Sequence, residues 1–280
     1  MLLLIPCDPL NPRKPDEHFA PEAAAARQLG FDVALVDHDA LGDAAQPADA
    51  LRRVPMGASA AVYRGWMLRS EQYTAFAEGL AERGVTLRTS PSDYRRAHEL
   101  PGWAAALAAV TPETAWTAGF DLEKLDECCA RLGGGPAVLR DYVKSMKHYW
   151  HEAVYLPDVA DRGRTHEIAT RFLELRDDDF TGGLVLRRFE HFLAGEVRTW
   201  WLAGRCVLIS AHPDSPDHVA EPDLRRVAPL VAALDLPFVT VDLALRQDGE
   251  WRVIELGDRQ VSDRPTSADP HSFIAAMLAG

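Results

Sequence analysis

The stretch VTVDLALRQDGEWRVIELGD, residues 239–258, reads as two β-strands joined by a turn. Apolar residues alternate with others on both sides, and Asp248-Gly249 is a strong hairpin signal. Counting outward from a two-residue turn there, Val241 faces Leu256, Leu243 faces Ile254, and Asp242 faces Glu255. One side of the predicted ribbon then carries Val241, Leu243, Leu245, Ile254 and Leu256, a core face. The other carries Thr240, Asp242, Ala244, Val253, Glu255 and Gly257. Two carboxylates directly opposite each other repel, so the pair needs a cation. Lysine or arginine on a solvated face would supply one. A divalent ion between the two acids would also do so, and oxygen ligands suit magnesium.

Cations are plentiful just upstream. In AVLRDYVKSMKHYWH, residues 137–151, a continuous strand would put Val138, Arg140, Tyr142 and Lys144 on one face. With Lys147 beyond them, these cations could cradle a phosphate. His148 and His151 could share a helical face, but no third metal ligand accompanies them, so a packing or surface role is expected. In GGLVLRRFEHFLAGEVRTWWLAGRCV, residues 182–207, Arg187 and Arg188 end an apolar strand. Glu196, Arg198 and Trp200 share a face of the next strand, which turns back at Ala203-Gly204. Arginine presents five fixed donors that match phosphate oxygens. The Trp200-Trp201 pair is expected in the core.

The remaining pattern sets the fold class. From residue 1 to about 90, short strands alternate with helices: LLLIP, then an Ala-rich helix closed by Gly30, FDVALVD, ASAAVYRGWM, a helix ending at Gly84, and VTLRT. That is the mark of an open parallel sheet. Neither GxGxxG nor GxxxxGK[ST] occurs, so no dinucleotide fingerprint or P-loop is available. From about 121 onward, helices mix with runs of antiparallel strands, an α+β pattern. The expected class is α/β plus α+β. With 280 residues, 47% of them hydrophobic, the chain can build one large domain or two ordinary ones. A net charge of −12 argues against non-specific binding to nucleic acid or membrane, since both are anionic. Cys7, Cys128, Cys129 and Cys206 lack CxxC spacing and read as free thiols in a reducing compartment. The start MLLLIPC is too short in its apolar run for a signal segment, and no stretch approaches membrane-helix length. A cytoplasmic protein is expected.

Taken together and in order, VLRDYVKSMKHYWHEA, GGLVLRRFEHF, GEVRTWWLAGRCV and VDLALRQDGEWRVIELGDRQVS resemble the ATP-grasp superfamily. More closely, they resemble the bacterial clade named for two arginines and a lysine. The resemblance implies an ATP-grasp fold behind an N-terminal Rossmann-like (pre-ATP-grasp) domain. The implied division is residues 1–95 and 96–280, with a lid subdomain at about 120–185. It implies ATP and Mg2+ as cofactors. Lys144 would contact the phosphates beside Arg140, and the segment Arg188, Phe189, Glu190 would offer backbone to adenine. Glu196 would hold the ribose. Arg198 would contact phosphate and stabilise the intermediate, and Arg187 would make a further phosphate or substrate contact. Lys144 and Arg198 are thus the implied catalytic residues, and Asp242 and Glu255 the implied metal ligands. Superfamily members usually carry Asn two residues after that Glu, where this chain has Gly257; Asp258, Gln260 or water would have to replace it. The usual glycine-rich lid is not evident, so Ser145, Lys147 or His148 would serve there.

The implied reaction is ATP- and Mg-dependent ligation of a carboxylate to an amine or thiol through an acyl phosphate, releasing ADP and phosphate. Phosphotransfer from the same site, or ATP binding without catalysis, are the alternatives. The implied partners are small-molecule or peptide carboxylates and amines, with no nucleic acid and no membrane. Arg64, Arg69 and Arg95 lie near predicted strand or loop ends and could hold an acidic substrate.

Overall fold

The computed structural model describes residues 1–42, 47–218 and 220–278. The apolar run Leu2–Pro6 forms β1, buried along its whole length as a central parallel strand should be. The helix α1 (Ala20–Gln28), β2 (Asp32–Val36), the short α2 (His38–Leu41) and α3 (Pro47–Ala50), and β3 (Ser59–Tyr63) follow. Then come α4 (Ser70–Glu82) and β4 (Val85–Leu87). The strands pair in parallel in the order β2-β1-β3-β4, as the strand–helix alternation predicted. The Ser90 hydroxyl caps α5 (Pro91–His98) by accepting from the Asp93 N–H.

A second, antiparallel sheet follows, ordered β5-β8-β6-β7. It is built from β5 (Thr114–Trp116), α6 (Leu122–Leu132), β6 (Ala137–Arg140), β7 (Tyr155–Leu156), α7 (Arg162–Arg176) and β8 (Val185–Arg188). The third sheet, ordered β10-β9-β11-β12, contains β9 (Phe192–Leu202), β10 (Arg205–Ala211), β11 (Phe238–Arg246) and β12 (Trp251–Asp258). The helix α8 (Ala228–Ala233) precedes β11, and α9 (Pro270–Leu278) ends the described chain; the last two residues of that predicted helix, 279 and 280, lie outside the described residues. All four cysteines are free thiols. Among the described residues, no helix is long and apolar enough to cross a membrane.

Both faces of the third sheet are covered. Trp201, Val239, Val241 and Leu243 pack with Trp103 and Leu107 on one side. On the other, Trp200 and Phe238 pack with Phe273 and with Leu3 and Ile5 of the first sheet. The two tryptophans are therefore core residues, one on each face. The second face is apolar only at the Trp200 end. Beyond it the same face carries Arg198 and Asp242, which pair across β9 and β11.

The opening hairpin has the predicted acid pair but reaches it by another route. Arg246 N–H bonds to the Glu250 carbonyl (2.8 Å), and Gly249 has φ +89°. The loop is thus Gln247-Asp248-Gly249, with glycine in the left-handed position of a three-residue hairpin. The pairs nearest the turn are Leu245 with Trp251, Ala244 with Arg252, and Leu243 with Val253. A bulge at Ile254 then shifts the register back, so Asp242 does face Glu255 and Val241 does face Leu256. Two expected positions are corrected. Val253 is fully buried in the core, and Ile254 turns to the acid-bearing side.

Arg187 holds the bulge. Its guanidinium donates to the carbonyls of Ile254 (2.5 Å) and Val253 (3.2 Å) and to the Thr111 hydroxyl (2.7 Å). Downstream, Gln260 ties β12 to the first sheet. Its side chain accepts from Tyr63 N–H (2.9 Å) and donates to the Tyr73 hydroxyl (2.8 Å), and its carbonyl accepts from Arg64 (2.9 Å). Asp258, fully buried, accepts from Gln260 N–H (2.9 Å) and from its side-chain amide (3.0 Å).

Two outcomes are expected. Arg187→Lys leaves bulge carbonyls without donors, because one ammonium cannot reproduce the fork. It should lower unfolding free energy by about 2 kcal/mol in urea denaturation; an unchanged midpoint would mean the backbone alone holds the bulge. Burial pushes the Asp258 carboxyl up to about 7, despite hydrogen bonds from Gln260 that favour the anion. A carboxyl raised on folding stabilises most below its unfolded pKa, about 4, and that contribution is lost as pH rises through the folded value, about 7. Asp258→Asn, which stays neutral, should raise the melting temperature by a few degrees at about pH 8 and little below about pH 4.

Candidate functional site

The acid pair is not bare. Arg198, on the neighbouring strand, donates from Nε and Nη2 to the two Asp242 oxygens, each at 2.8 Å. Asp242 is 4% exposed. Burial alone would raise its pKa, but the Arg198 charge and hydrogen bonds overcome this and hold it well below the usual carboxylate range. Glu255 has its own arginine: Arg140 Nη1 lies 3.5 Å from its Oε2. Against the effect of burial, Arg140 and Lys144 lower the Glu255 pKa. The repulsion posed by the sequence is thus relieved by two arginines, one from β9 and one from β6.

Lys144 reaches the site differently from the sequence expectation. The strand β6 stops at Arg140. Asp141 then builds a turn, its Oδ1 accepting from Val143 N–H (2.7 Å) and Lys144 N–H (2.6 Å). The Val138-Arg140-Tyr142-Lys144 alternation therefore ends at Arg140. Lys144 is exposed and lines the cavity beside Glu255. His148 borders the same cavity, whereas His151 is exposed and stands apart from it.

Other expected residues are engaged elsewhere. Arg187 donates to the β12 bulge, and burial lowers its pKa to about 9. Arg188 caps the C-terminal end of α6, donating to the Gly134 and Leu132 carbonyls. The expected use of the Arg187 guanidinium for phosphate or substrate is corrected accordingly, since its donors are turned to Ile254, Val253 and Thr111. Glu190 pairs with Arg252 at 2.9 and 3.0 Å. Arg64 is fully buried against Glu22 (2.7 Å), so it cannot meet a substrate. Arg95 pairs with Glu71 (2.7 Å) on the surface, and Arg69 bonds to the Asp178 carbonyl (2.5 Å). Gln260 is held against the first sheet, whereas Asp258 borders the charged cavity while its Oδ1 accepts from Gln260.

Three cavities adjoin. One, of about 360 Å3, is mainly apolar and lies between the second and third sheets, bordered by Val138, Leu139, Trp150, Phe189 and Ile254. A charged cavity of similar size contains Lys144, Arg198, Asp242 and Gly257. Ser145, Lys147, Glu196 and Glu255 belong to both and form the wall between them. A third cavity, bordered by Arg69, Gln72 and Arg176, joins the charged one at Met67, His98 and Lys144. An apolar chamber opening onto a charged one suits a nucleotide, a flat base with a polyanionic tail. The carboxylates in the charged chamber are hard oxygen donors, so the residues present fit magnesium.

Two residues at the site escaped the sequence reading. His98 stacks on Tyr94 (5.0 Å, 24°) at the doorway between the charged and third cavities. Burial, with a smaller effect from Lys144, pushes its pKa down to about 4. His212 follows β10 and places Nε2 3.4 Å from Asp242 Oδ2 and 3.9 Å from Glu196 Oε2. A register counted straight from the Ala203-Gly204 turn would set His212 on the opposite face. A bulge between Cys206 and Leu208 shifts the pairing, so Ser210 faces Arg198 and His212 N–H bonds to the Glu196 carbonyl. Glu196, expected at the ribose, thus faces His212 and Asp242 from the shared wall. Burial raises its pKa, and the Lys147 charge opposes this.

Solved structures share this architecture. D-cycloserine synthetase DcsG superposes with a TM-score of 0.64 at 19% identity, over 99% of this chain and 98% of its own. A RimK domain ATP-grasp protein from Sphaerobacter thermophilus gives 0.63 at 17%, over the whole of both chains. The ATP-grasp ligase PsnB, complexed with minimal precursor, Mg and ADP, gives 0.57 at 16%, over 99% of this chain and 97% of its own. At such identities the likeness is one of fold. No curated protein sequence matches the chain. Residues 131–278, over half of the chain, match the ATP-grasp domain model for family 3 of the clade named for two arginines and a lysine, and the chain belongs to that family.

Proposed function

We propose that this ATP-grasp ligase uses ATP and magnesium to join a carboxylate to an amine or thiol, through an acyl phosphate, with release of ADP and phosphate. The observation that carries the reading is the shared wall. A base-sized apolar cavity meets, across Ser145, Lys147, Glu196 and Glu255, a chamber holding Arg198, Lys144 and two facing acids. Adenine would lie against Phe189 and Ile254, and the phosphates would point towards Lys144, Lys147 and Arg198. Asp242 and Glu255 would hold magnesium, which when bound neutralises phosphate charge. Residues 1–95 would form the pre-ATP-grasp domain and 96–280 the ATP-grasp domain, its lid at about 120–185.

In the first step a substrate carboxylate oxygen attacks the γ-phosphorus, and the bond to the β–γ bridging oxygen breaks, leaving ADP. In the second, the nucleophile attacks the acyl carbon, its proton departs, and the carbon–oxygen bond to phosphate breaks. No protein nucleophile is required. Arg198 and Lys144 would act by positioning and by offsetting the charge that develops on the transferred group. The third cavity, with Arg69 and Arg176 at its border, adjoins the reacting end through Lys144 and offers room for the rest of an acidic small molecule or peptide.

ADP release across a panel of amino acids and other carboxylates, each with an amine, tests the reading. Substrate-dependent ADP and free phosphate are expected. A stable phosphorylated product would indicate phosphotransfer, and tight ATP binding without turnover a non-catalytic module. Asp242→Asn and Glu255→Gln should each reduce turnover by about 100-fold or more. Unchanged turnover and Mg-ATP affinity in both variants would sink the reading.

A further inference from the structure

We propose that His212 is a metal ligand which, with Asp242 and Glu196, completes a site for a transition ion such as Mn2+, supplying from β10 the donor that Gly257 leaves out of β12. This rests on the nucleotide–metal reading above and goes beyond it in the identity of the ligands and of the ion.

The geometry comes first. One donor atom from each of Glu196, His212 and Asp242 lies within 4.8 Å of the others. His212 is 7% exposed, so its ring is fixed in the wall of the cavity. On the β12 side the corresponding place is open. A Cβ at Gly257 would meet only Thr240 Oγ1 at 3.5 Å and Ser262 Oγ at 3.7 Å, ordinary contacts.

The hydrogen bonding of His212 shows what the ion would replace. Nδ1 accepts from Asp214 N–H at 3.1 Å, which puts the proton of a neutral ring on Nε2. Nε2–H then points at the Arg198 Nη2 donor, 2.9 Å away. Moving the proton to Nδ1 relieves that contact and sets Nδ1–H against Asp214 N–H instead. With the proton on Nε2, the carboxylate oxygen within reach is Asp242 Oδ2, 3.4 Å away. An ion on the Nε2 lone pair would put the proton on Nδ1, where the Asp214 carboxylate, with Oδ2 3.9 Å away, is the acceptor at hand. A carboxylate behind a ligating imidazole is the arrangement that orients metal-bound histidines. Arg198 Nη2, which bridges Asp242 Oδ2 (2.8 Å) and His212 Nε2 (2.9 Å), would give way to the ion, while Arg198 Nε stays on Asp242 Oδ1.

Imidazole shifts the preference of the site. Magnesium favours oxygen ligands, whereas nitrogen donors suit transition ions. Mn2+ should therefore bind more tightly than Mg2+.

The test is electron-spin-echo spectroscopy of Mn2+ bound to the full chain with ADP, together with Mn2+ titration. Nitrogen-14 coupling is expected in the parent protein and its loss in His212→Gln, with affinity falling about 10-fold or more. The double variant His212→Gln/Gly257→Asn, which places an oxygen donor in the open position, should regain affinity and so separate ligand loss from misfolding. Bound Mn2+ without nitrogen coupling, or unchanged affinity in His212→Gln, overturns the assignment of His212 alone. Failure of the parent protein to bind Mn2+ with ADP overturns the nucleotide–metal reading itself.

Discussion

Asp242 and Arg198 meet as a largely buried charge pair in the middle of a sheet, where its apolar end at Trp200 and Phe238 gives way to a polar one. Removing two charges from water is costly, and their attraction in the interior roughly offsets that cost. Such a pair adds little to net stability, yet losing one partner strands the other. The pair therefore fixes what can stand beside it. Glu255 needs Arg140, His212 packs against Arg198, and Glu196 completes the ring of charge on the shared wall. A metal ion entering here would meet Asp242 and Glu255 already favoured as anions by Arg198 and Arg140.

The face carrying these charges is continuous with a hydrophobic one. Trp200 and Phe238 lie on the same side of the third sheet as Arg198 and Asp242, and they pack under the first sheet with Phe273. The charged end emerges where that cover stops. Gln260 and Arg64 fix the edge of the cover by joining β12 to the first sheet, and the cavity at Trp66 and Met67 opens there. Arginines beneath the surface have structural roles that composition cannot reveal. Arg187 holds a bulge, Arg188 caps a helix, and Arg64 neutralises Glu22.

Much of this was legible in the sequence. Strand–helix alternation gave the first sheet, and the Ala203-Gly204 turn, with both residues at positive φ, gave the β9–β10 hairpin. The ordered cations and acids pointed to the family and to Lys144, Arg198, Asp242 and Glu255, which do line one connected pair of cavities. What stayed hidden were single-residue register shifts. The hairpin after β11 has a three-residue loop where two were counted, and the Ile254 bulge restores the pairing. The acid pair was therefore found although the path to it was miscounted. At β10 one uncompensated bulge turned His212 into the site, against a straight count.

The sequence by itself determined the class of the fold and the order of its charged motifs, because alternation and local turns act over a few residues; the facing of Asp242 and Glu255 also needed the bulge at Ile254 that Arg187 holds. Only the tertiary structure decided which arginine neutralises which acid, which arginines are structural, and that His212 joins the ring. Those choices depend on strands distant in the chain and on bulges whose cost is met by partners elsewhere, such as Arg187. A one-residue shift inverts the face of every side chain beyond it, and no local pattern in this chain announced where the shifts would fall.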